Sequence, residues 1–247
     1  MNSMAGSPSV PRFDEAAIKR GATSLRHPLT RALLALTFTT GLVDAVSYLA
    51  LGRVFTANMT GNVVLLGFGI AGSGGLPVVA PIVSLGAFLV GAGAGGVLVR
   101  RLAASHPTLV ARALAIEASL LVIATVIAAA TTVHPGNASG YALIVLMASA
   151  MGVRNATVRH IAVPDLTTTV LTMTLTGFAA ESRLAGGSGK GSVRRIAAVI
   201  AMLAGAIAGA LLLKASVFAP LALAAVLAIT TWLAYVPAAV RLGSTAH

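Results

Sequence analysis

Charged residues and cysteine are what this chain has least of. Only 9% of its 247 residues are Asp, Glu, Lys or Arg, and cysteine is absent. A soluble domain carries about a quarter charged residues, because water has to wet its surface. The missing cysteines exclude disulfides, thiolate metal sites and cysteine nucleophiles. So few charges cannot cover a water-soluble globule, whereas a lipid bilayer would solvate an apolar exterior.

The sequence also lacks the patterns of catalytic and metal sites. Its histidines show no metal-ligand spacing; they are His27, His106, His134, His160 and His247. We find no nucleophile elbow, phosphate loop or paired carboxylates. The sequence therefore predicts no catalytic residue, cofactor or metal, and a protein that is not an enzyme.

Basic residues outnumber acidic ones by 17 to 6, which gives a formal net charge of +11. They stand at the ends of apolar runs, where they set membrane topology, and not in a patch that could follow a phosphate backbone. We therefore expect no nucleic-acid partner. The expected partners are the lipid bilayer and a small solute or ion, and a homo-oligomer is left open.

Long apolar runs are what the chain has in abundance, with 57% hydrophobic residues and a mean hydropathy of +0.94. Six stretches can each span about 30 Å of hydrocarbon: residues 32–51, 78–99, 111–132, 141–161, 196–213 and 217–240. Two further segments, 54–70 and 165–180, are shorter and interrupted by polar residues.

The basic residues indicate how the two interrupted segments lie. If all eight segments cross and the N-terminus is cytosolic, Lys and Arg divide 10 to 7 between inside and outside. If both short segments enter and leave on one face, the division becomes 15 to 2. The second division fits the excess of basic residues in cytoplasmic loops. It predicts an all-α integral membrane protein with six transmembrane helices plus two broken or re-entrant segments; two short full crossings remain the alternative.

The chain is predicted to divide into a tail, one membrane domain and a short end. Residues 1–30 are expected to form a flexible, basic cytosolic tail, since no apolar run of a signal peptide precedes residue 32. Residues 31–241 form a single transmembrane domain, and 242–247 a short tail. We expect the protein in the bacterial inner (cytoplasmic) membrane, with N- and C-termini cytosolic.

The two halves of this domain resemble each other, with repeat one at about 31–132 and repeat two at about 141–240. At an offset of 111, Gly41-Leu-Val-Asp44-Ala45 falls on Gly152-Val-Arg-Asn155-Ala156, and Thr56 falls on Thr167. Three spans separate the first members, so they cross in opposite directions and predict an inverted repeat. Many secondary transporters are built this way, with a substrate site where broken helices meet. This analogy favours transport without demonstrating it.

Asp44 and Arg154 are charged residues predicted at membrane depth. An unpaired carboxylate there costs several kcal/mol, so Asp44 is either a proton or cation site or a buried carboxyl that holds the fold. Arg154 is a candidate partner for Asp44, but depth counting separates them by about 10 Å along the membrane normal. Snorkelling of Arg154 and Arg159 to the inner interface is the favoured interpretation. Glu117 is expected to pair with Arg112 or Arg100.

Amide and hydroxyl side chains complete the predicted substrate or ion site, which comprises Asp44, Asn58, Thr60, Asn62, Arg154, Asn155 and Thr167. Their oxygens could bind a solute or cation, or could pair backbone groups that a non-helical turn leaves open. Both roles remain open. Gly91/Gly95 and Gly205/Gly209 have the small-xxx-small spacing of helix packing, within the chain or between chains.

Two sequence blocks carry a family resemblance. Phe55-Thr-Ala-Asn-Met-Thr-Gly-Asn62 follows Gly41-Leu-Val-Asp44-Ala45, and Pro164-Asp-Leu-Thr167 follows Gly152-Val-Arg-Asn155-Ala156. Over roughly residues 30–240 the chain resembles the YoaK-like family of bacterial multi-pass membrane proteins (domain of unknown function 1275). The resemblance implies an inner-membrane protein and adds no substrate. We expect a small-solute or ion transporter or permease, and the alternative is a non-transporting scaffold or partner-binding membrane protein.

Overall fold

The computed structural model describes residues 28–102, 106–161, 171–182, 185–187 and 191–244. Within these ranges the chain forms eight helices, and six of them are long and apolar enough to cross a membrane. The predicted all-α membrane fold with six long spans and two short segments is confirmed. In chain order the helices are α1 (Pro28–Ala50), α2 (Met59–Ile70), α3 (Val79–Leu102), α4 (His106–Ala130), α5 (Ala138–Ile161), α6 (Leu171–Ala180), α7 (Ser192–Leu213) and α8 (Phe218–Ser244).

The six long helices differ in how much of each the protein itself covers. About three fifths or more of the apolar stretch is buried in α1 (72%) and α5 (61%), against 22% in α3 and 17% in α7. A helix that is apolar on every side suits either a protein core or a bilayer. Helices α1 and α5 therefore form the centre of the bundle, and α3 and α7 present most of their apolar surface outward.

The long helices alternate in direction. The starts of α1 and α4 and the end of α5 share an apolar cluster that contains Leu29, Val110 and Ile161. Helix α3 runs parallel to α5, because Gly91 lies against Ser149 and Gly95 against Ala156. We call the end that holds this cluster the basic end, since Arg31, Arg100, Arg101, Arg112, Arg159, Arg194 and Arg195 lie near it.

Glycines join the outer helices to the central ones. A Cβ atom on Gly91 would lie 2.7 Å from the Cα of Ser149, and one on Gly95 would lie 2.8 Å from the Cβ of Ala156. The same arrangement joins α7 to α1, where Gly205 lies against Phe38 and Gly209 against Ala45. The structure thus places all four predicted packing glycines at helix contacts within the chain, where small residues let backbones approach.

We expect Gly91→Ala to destabilise the protein, because the added methyl group would overlap the α5 backbone. Overpacking of this kind costs about 1–3 kcal/mol. The matched control is Gly93→Ala on the same helix, where a Cβ would meet no atom within 4 Å and alanine favours the helix. Thermal unfolding in detergent should show a lower Tm for Gly91→Ala alone; equal Tm values would contradict the close contact.

Candidate functional site

After α1 the chain turns back into the bundle and is held there by Asp44. The turn uses Gly52 and Arg53 with positive φ angles of 100° and 58°. The N–H groups of Thr56 and Ala57 then donate to Oδ1 of Asp44 at 3.1 and 2.9 Å. Asp44 lies six residues before the end of α1, which is about 9 Å along the helix. The carboxylate, 7% exposed, therefore anchors the returning segment well below the end of its helix.

Asn62 binds the same returning segment from α2. Its Oδ1 accepts the N–H of Phe55 at 2.8 Å, and its Nδ2 donates to the carbonyl of Phe55 at 2.7 Å. The hydroxyl of Ser84 on α3 also donates to that carbonyl, at 2.6 Å. Non-helical backbone at membrane depth is tolerated only when its polar groups are paired. Asn62 and Ser84 pair both groups of Phe55, and both side chains are fully buried.

Helix α2 leads the chain back to the end of the bundle at which it entered. It begins beside Phe55 and Ser84, and Gly69 near its end lies against Leu76 and Pro77, which precede α3. Helix α3 thus starts at the end where α1 finishes. The first interrupted segment therefore forms a hairpin that enters and leaves the bundle at the same end, which is the path that the charge distribution predicted.

The predicted site residues of the first repeat separate into two groups. Asp44 and Asn62 meet on the backbone of the hairpin. Asn58 and Thr60 are exposed instead; the Asn58 side chain caps α2 by accepting the N–H of Gly61 at 3.2 Å. Thr167, the corresponding prediction in the second repeat, lies outside the described residues.

A buried ion pair lies between α4 and α5. Arg154 donates from Nε to Oε2 of Glu117 at 2.9 Å, and its Nη2 pairs with Oε1 of the same carboxylate. Its Nη1 donates to the carbonyl of Leu36 and to the hydroxyl of Thr40 on α1, each at 2.7 Å. Each side chain of the pair is only 1% exposed. Arg154 therefore links three helices in the interior of the bundle.

The predicted placement of this arginine was wrong, and so were both predicted partners of the glutamate. Arg154 neither bridges to Asp44 nor snorkels, because four of its N–H groups are held by acceptors inside the bundle. Glu117 binds Arg154 and not Arg112 or Arg100. A guanidinium held by a carboxylate needs no path to water, which removes the reason for snorkelling.

Equal depth is the sequence signal that could have found this pair. Glu117 lies six residues after the predicted start of its span at 111, and Arg154 lies seven residues before the predicted end of its span at 161. Both positions are about 10 Å from the same predicted face. Opposite charges at matching depth on consecutive antiparallel spans favour a direct pair.

Asn155, the repeat counterpart of Asp44, is half-buried. Its Nδ2 donates to the carbonyl of Met151 one turn earlier, at 2.8 Å. On α1, Thr40, whose hydroxyl accepts from Arg154, precedes Asp44 by one helical turn. The structure thus joins Asp44 and Arg154 through one polar stripe of α1 without direct contact.

A small cavity of about 30 Å³ lies beside the ion pair. It extends to the starts of α1 and α4 and the end of α5 at the basic end, and its lining includes Leu33, Leu36, Leu114 and Val158 together with the two charged residues. A space of this size holds about one water molecule or one small polar group. The site therefore offers one cation and one carboxylate at the inner end of an apolar recess.

Comparison with known proteins identifies relatives of this chain. The model of a family described as "Protein of unknown function (DUF1275)" matches residues 32–234. The "UPF0700 transmembrane protein YoaK" of Bacillus subtilis (strain 168) is 36% identical over 141 residues. The match covers 57% of this chain and 61% of that relative, which is less than two thirds of its length. No solved structure matches.

Proposed function

The chain belongs to the DUF1275 family of multi-pass membrane proteins, and from this premise we propose that it transports a small solute or ion across the bacterial inner membrane. The observation that carries the proposal is the buried Arg154–Glu117 pair beside a recess that extends toward the basic end. Ionisable groups inside a membrane are costly, and they commonly mark a substrate or ion pathway.

Matching contacts in the two halves support an inverted repeat. A Cβ atom on Gly41 of α1 would lie 2.6 Å from the amide nitrogen of Ala206 on α7. A Cβ atom on Gly152 of α5 would lie 2.6 Å from the amide nitrogen of Ala92 on α3. Helices α1 and α5 run in opposite directions, so the proposed repeat is inverted. Transporters of this construction move one set of helices against the other around a central site.

Charge supports an orientation with the basic end in the cytosol. The arginines near the ends of α3, α5 and the starts of α4 and α7 all lie at this end, while Arg53 and Lys214 lie at the other. Since cytoplasmic segments of bacterial membrane proteins are enriched in Lys and Arg, both termini would be cytosolic. The recess beside Arg154 would then open toward the cytosol.

The hydrogen bonds of the hairpin favour a second candidate function, a non-transporting scaffold. Asp44 and Asn62 bind backbone groups of their own chain and so act as structural residues. In a scaffold, buried polar groups need only to satisfy one another's hydrogen-bonding capacity. A scaffold function accounts for the hydrogen bonds of Asp44 as well as a transport function does. It does not account for a recess that ends at the Arg154–Glu117 pair.

Flux across vesicles tests the proposal. Proteoliposomes would be exposed to an osmotic shock with urea, glycerol, sodium chloride or sodium acetate. The recovery of vesicle volume would be followed by stopped-flow light scattering. We expect at least one solute to cross several times faster than in protein-free vesicles. Val158→Phe, which fills the recess, should abolish the gain, whereas Val145→Phe on the exposed side of α5 should preserve it. No gain with any of these solutes would favour the scaffold.

A further inference from the structure

We propose that a groove between α4 and α8 at the basic end binds the head group of an anionic phospholipid. The groove has a volume of about 260 Å³, and both helices contribute to its walls. Its lining residues are Pro107, Thr108, Ala111, Arg112 and Ala115 on α4, and Trp232 and Val236 on α8. The inference concerns the lipid around the protein, so it goes beyond the proposed transport function and does not depend on it.

Polar and apolar residues follow one another along the groove in the order that a phospholipid requires. Thr108 and Arg112 lie in the first two turns of α4, and both are exposed. Ala115 lies about 4.5 Å deeper along the helix than Arg112. Its small side chain leaves room for an acyl chain beside the indole ring of Trp232. The head group would therefore bind near the end of the bundle, with the acyl chain directed toward the bilayer interior.

Arg112 supplies the charge of the groove, and the described part of the chain offers it no counter-charge. That part contains three carboxylates, those of Asp44, Glu117 and Glu181, and each is bonded to another group. Among the described residues, none forms a hydrogen bond or an ion pair with Arg112. A guanidinium stays charged in proteins, and its fork of N–H donors matches a phosphate. A lipid phosphate at the membrane surface can therefore provide the missing counter-charge.

The charge around the groove favours an anionic lipid over a zwitterionic one. Further exposed arginines lie at the same end of the bundle, among them Arg31, Arg101 and Arg159. A phosphatidylglycerol head group brings a phosphate and no cation, whereas phosphatidylcholine brings an ammonium group that these arginines repel. Basic pockets between transmembrane helices on the cytoplasmic side bind anionic head groups in this way.

Trp232 anchors the groove at the membrane interface and also provides a means of observing it. The indole ring is half-buried and packs against the apolar cluster of the basic end. Tryptophan is enriched at the level of the head groups, because its ring is apolar and its N–H can donate to a polar neighbour. Trp232 is the only tryptophan of the chain. The tryptophan fluorescence of the protein therefore reports on the groove alone.

Quenching of this fluorescence by bromine-labelled lipids tests the site, with the full chain reconstituted into vesicles. Brominated phosphatidylglycerol in unlabelled phosphatidylcholine is compared with brominated phosphatidylcholine in unlabelled phosphatidylglycerol, at equal mole fraction of label. We expect brominated phosphatidylglycerol to quench more strongly. Arg112→Gln should lower the relative binding constant for phosphatidylglycerol about fivefold, and Arg112→Lys should retain most of it. The matched control is Arg101→Gln, an exposed arginine at the same end that does not line the groove, and it should behave like the unmodified chain.

Equal quenching by the two lipids in the unmodified chain would overturn the inference, and so would an unchanged preference in Arg112→Gln. Ala115→Phe, which fills the groove, should weaken quenching by both lipids. Ile123→Phe, at an exposed position of α4 outside the groove, should leave it unchanged. Equal effects of these two changes would contradict binding in the groove.

Competition in the unmodified chain decides the question without any variant that has to fold. Added unlabelled phosphatidylglycerol should relieve quenching by the brominated form, and added phosphatidylcholine should relieve it less. Inorganic phosphate should not relieve it. Relief by inorganic phosphate would assign the groove to a free anion and would refute the lipid site.

Discussion

Replacing Glu117 with leucine should lower the free energy of unfolding by about 3–5 kcal/mol, because the guanidinium of Arg154 would stay buried without a counter-charge. Arg154→Met should also destabilise the protein, because it leaves the carboxylate of Glu117 buried without a counter-charge. The double variant Glu117→Leu/Arg154→Met removes both charges and should recover most of the loss. Unfolding by SDS titration in mixed micelles would measure the three values.

The double-mutant cycle separates this pair from an ordinary packing contact. Its control pair is Arg195 and Glu181, whose carboxylate is 56% exposed and whose coupling should be about 1 kcal/mol or less. A strong coupling for Glu117 and Arg154 combined with a weak one for the control would confirm the expectation. Simple addition of the two single losses would show that the buried pair is not energetically coupled.

Asp44→Ala should also destabilise the protein strongly, because it removes the acceptor of two buried N–H groups, those of Thr56 and Ala57. Each N–H left unsatisfied costs about 1–3 kcal/mol. Asp44→Asn keeps one carbonyl oxygen at the same position and should retain most of the stability. Hydrogen exchange of residues 54–58, followed by mass spectrometry, should accelerate in Asp44→Ala and stay slow in Asp44→Asn.

The same two variants separate a structural role of Asp44 from a role in transport. If Asp44 only anchors the hairpin, flux in proteoliposomes should follow stability and survive in Asp44→Asn. Asn58→Ala is the control, since this exposed cap of α2 should cost only about 1 kcal/mol. Similar exchange rates for residues 54–58 in Asp44→Ala and the unmodified chain would contradict the anchor.

The spans could be predicted from the sequence because a bilayer imposes length and hydropathy on each helix separately. The six long helices lie where apolar runs predicted them, and the helices Met59–Ile70 and Leu171–Ala180 fall within the two predicted short segments. The packing glycines could also be recognised in the sequence, because close contact between helices places small residues four positions apart on one helix face. These features depend on one segment at a time.

The polar contacts could not be predicted in the same way, because each depends on how helices rotate and on which ones are neighbours. Arg154 reaches Leu36 and Thr40, more than a hundred residues away in sequence, and no local pattern encodes that distance. Asn62 stands out in the sequence as a polar residue inside an apolar region, but its pairing with the N–H and carbonyl groups of Phe55 depends on the path of the turn. The expected burial of Asn62 indicated that its amide needs hydrogen-bond partners, but not which groups supply them.

The hydrogen bonds of the Phe55 backbone have a consequence for the order in which the chain inserts into the membrane. Its amide and carbonyl receive partners only from residues synthesised later, Asn62 seven positions on and Ser84 twenty-nine positions on. When α1 first leaves the translocon, the segment behind it carries backbone groups that hydrocarbon cannot solvate. Residues 54–58 would therefore wait at the membrane surface until α3 has inserted, and the hairpin would form after synthesis of its neighbours.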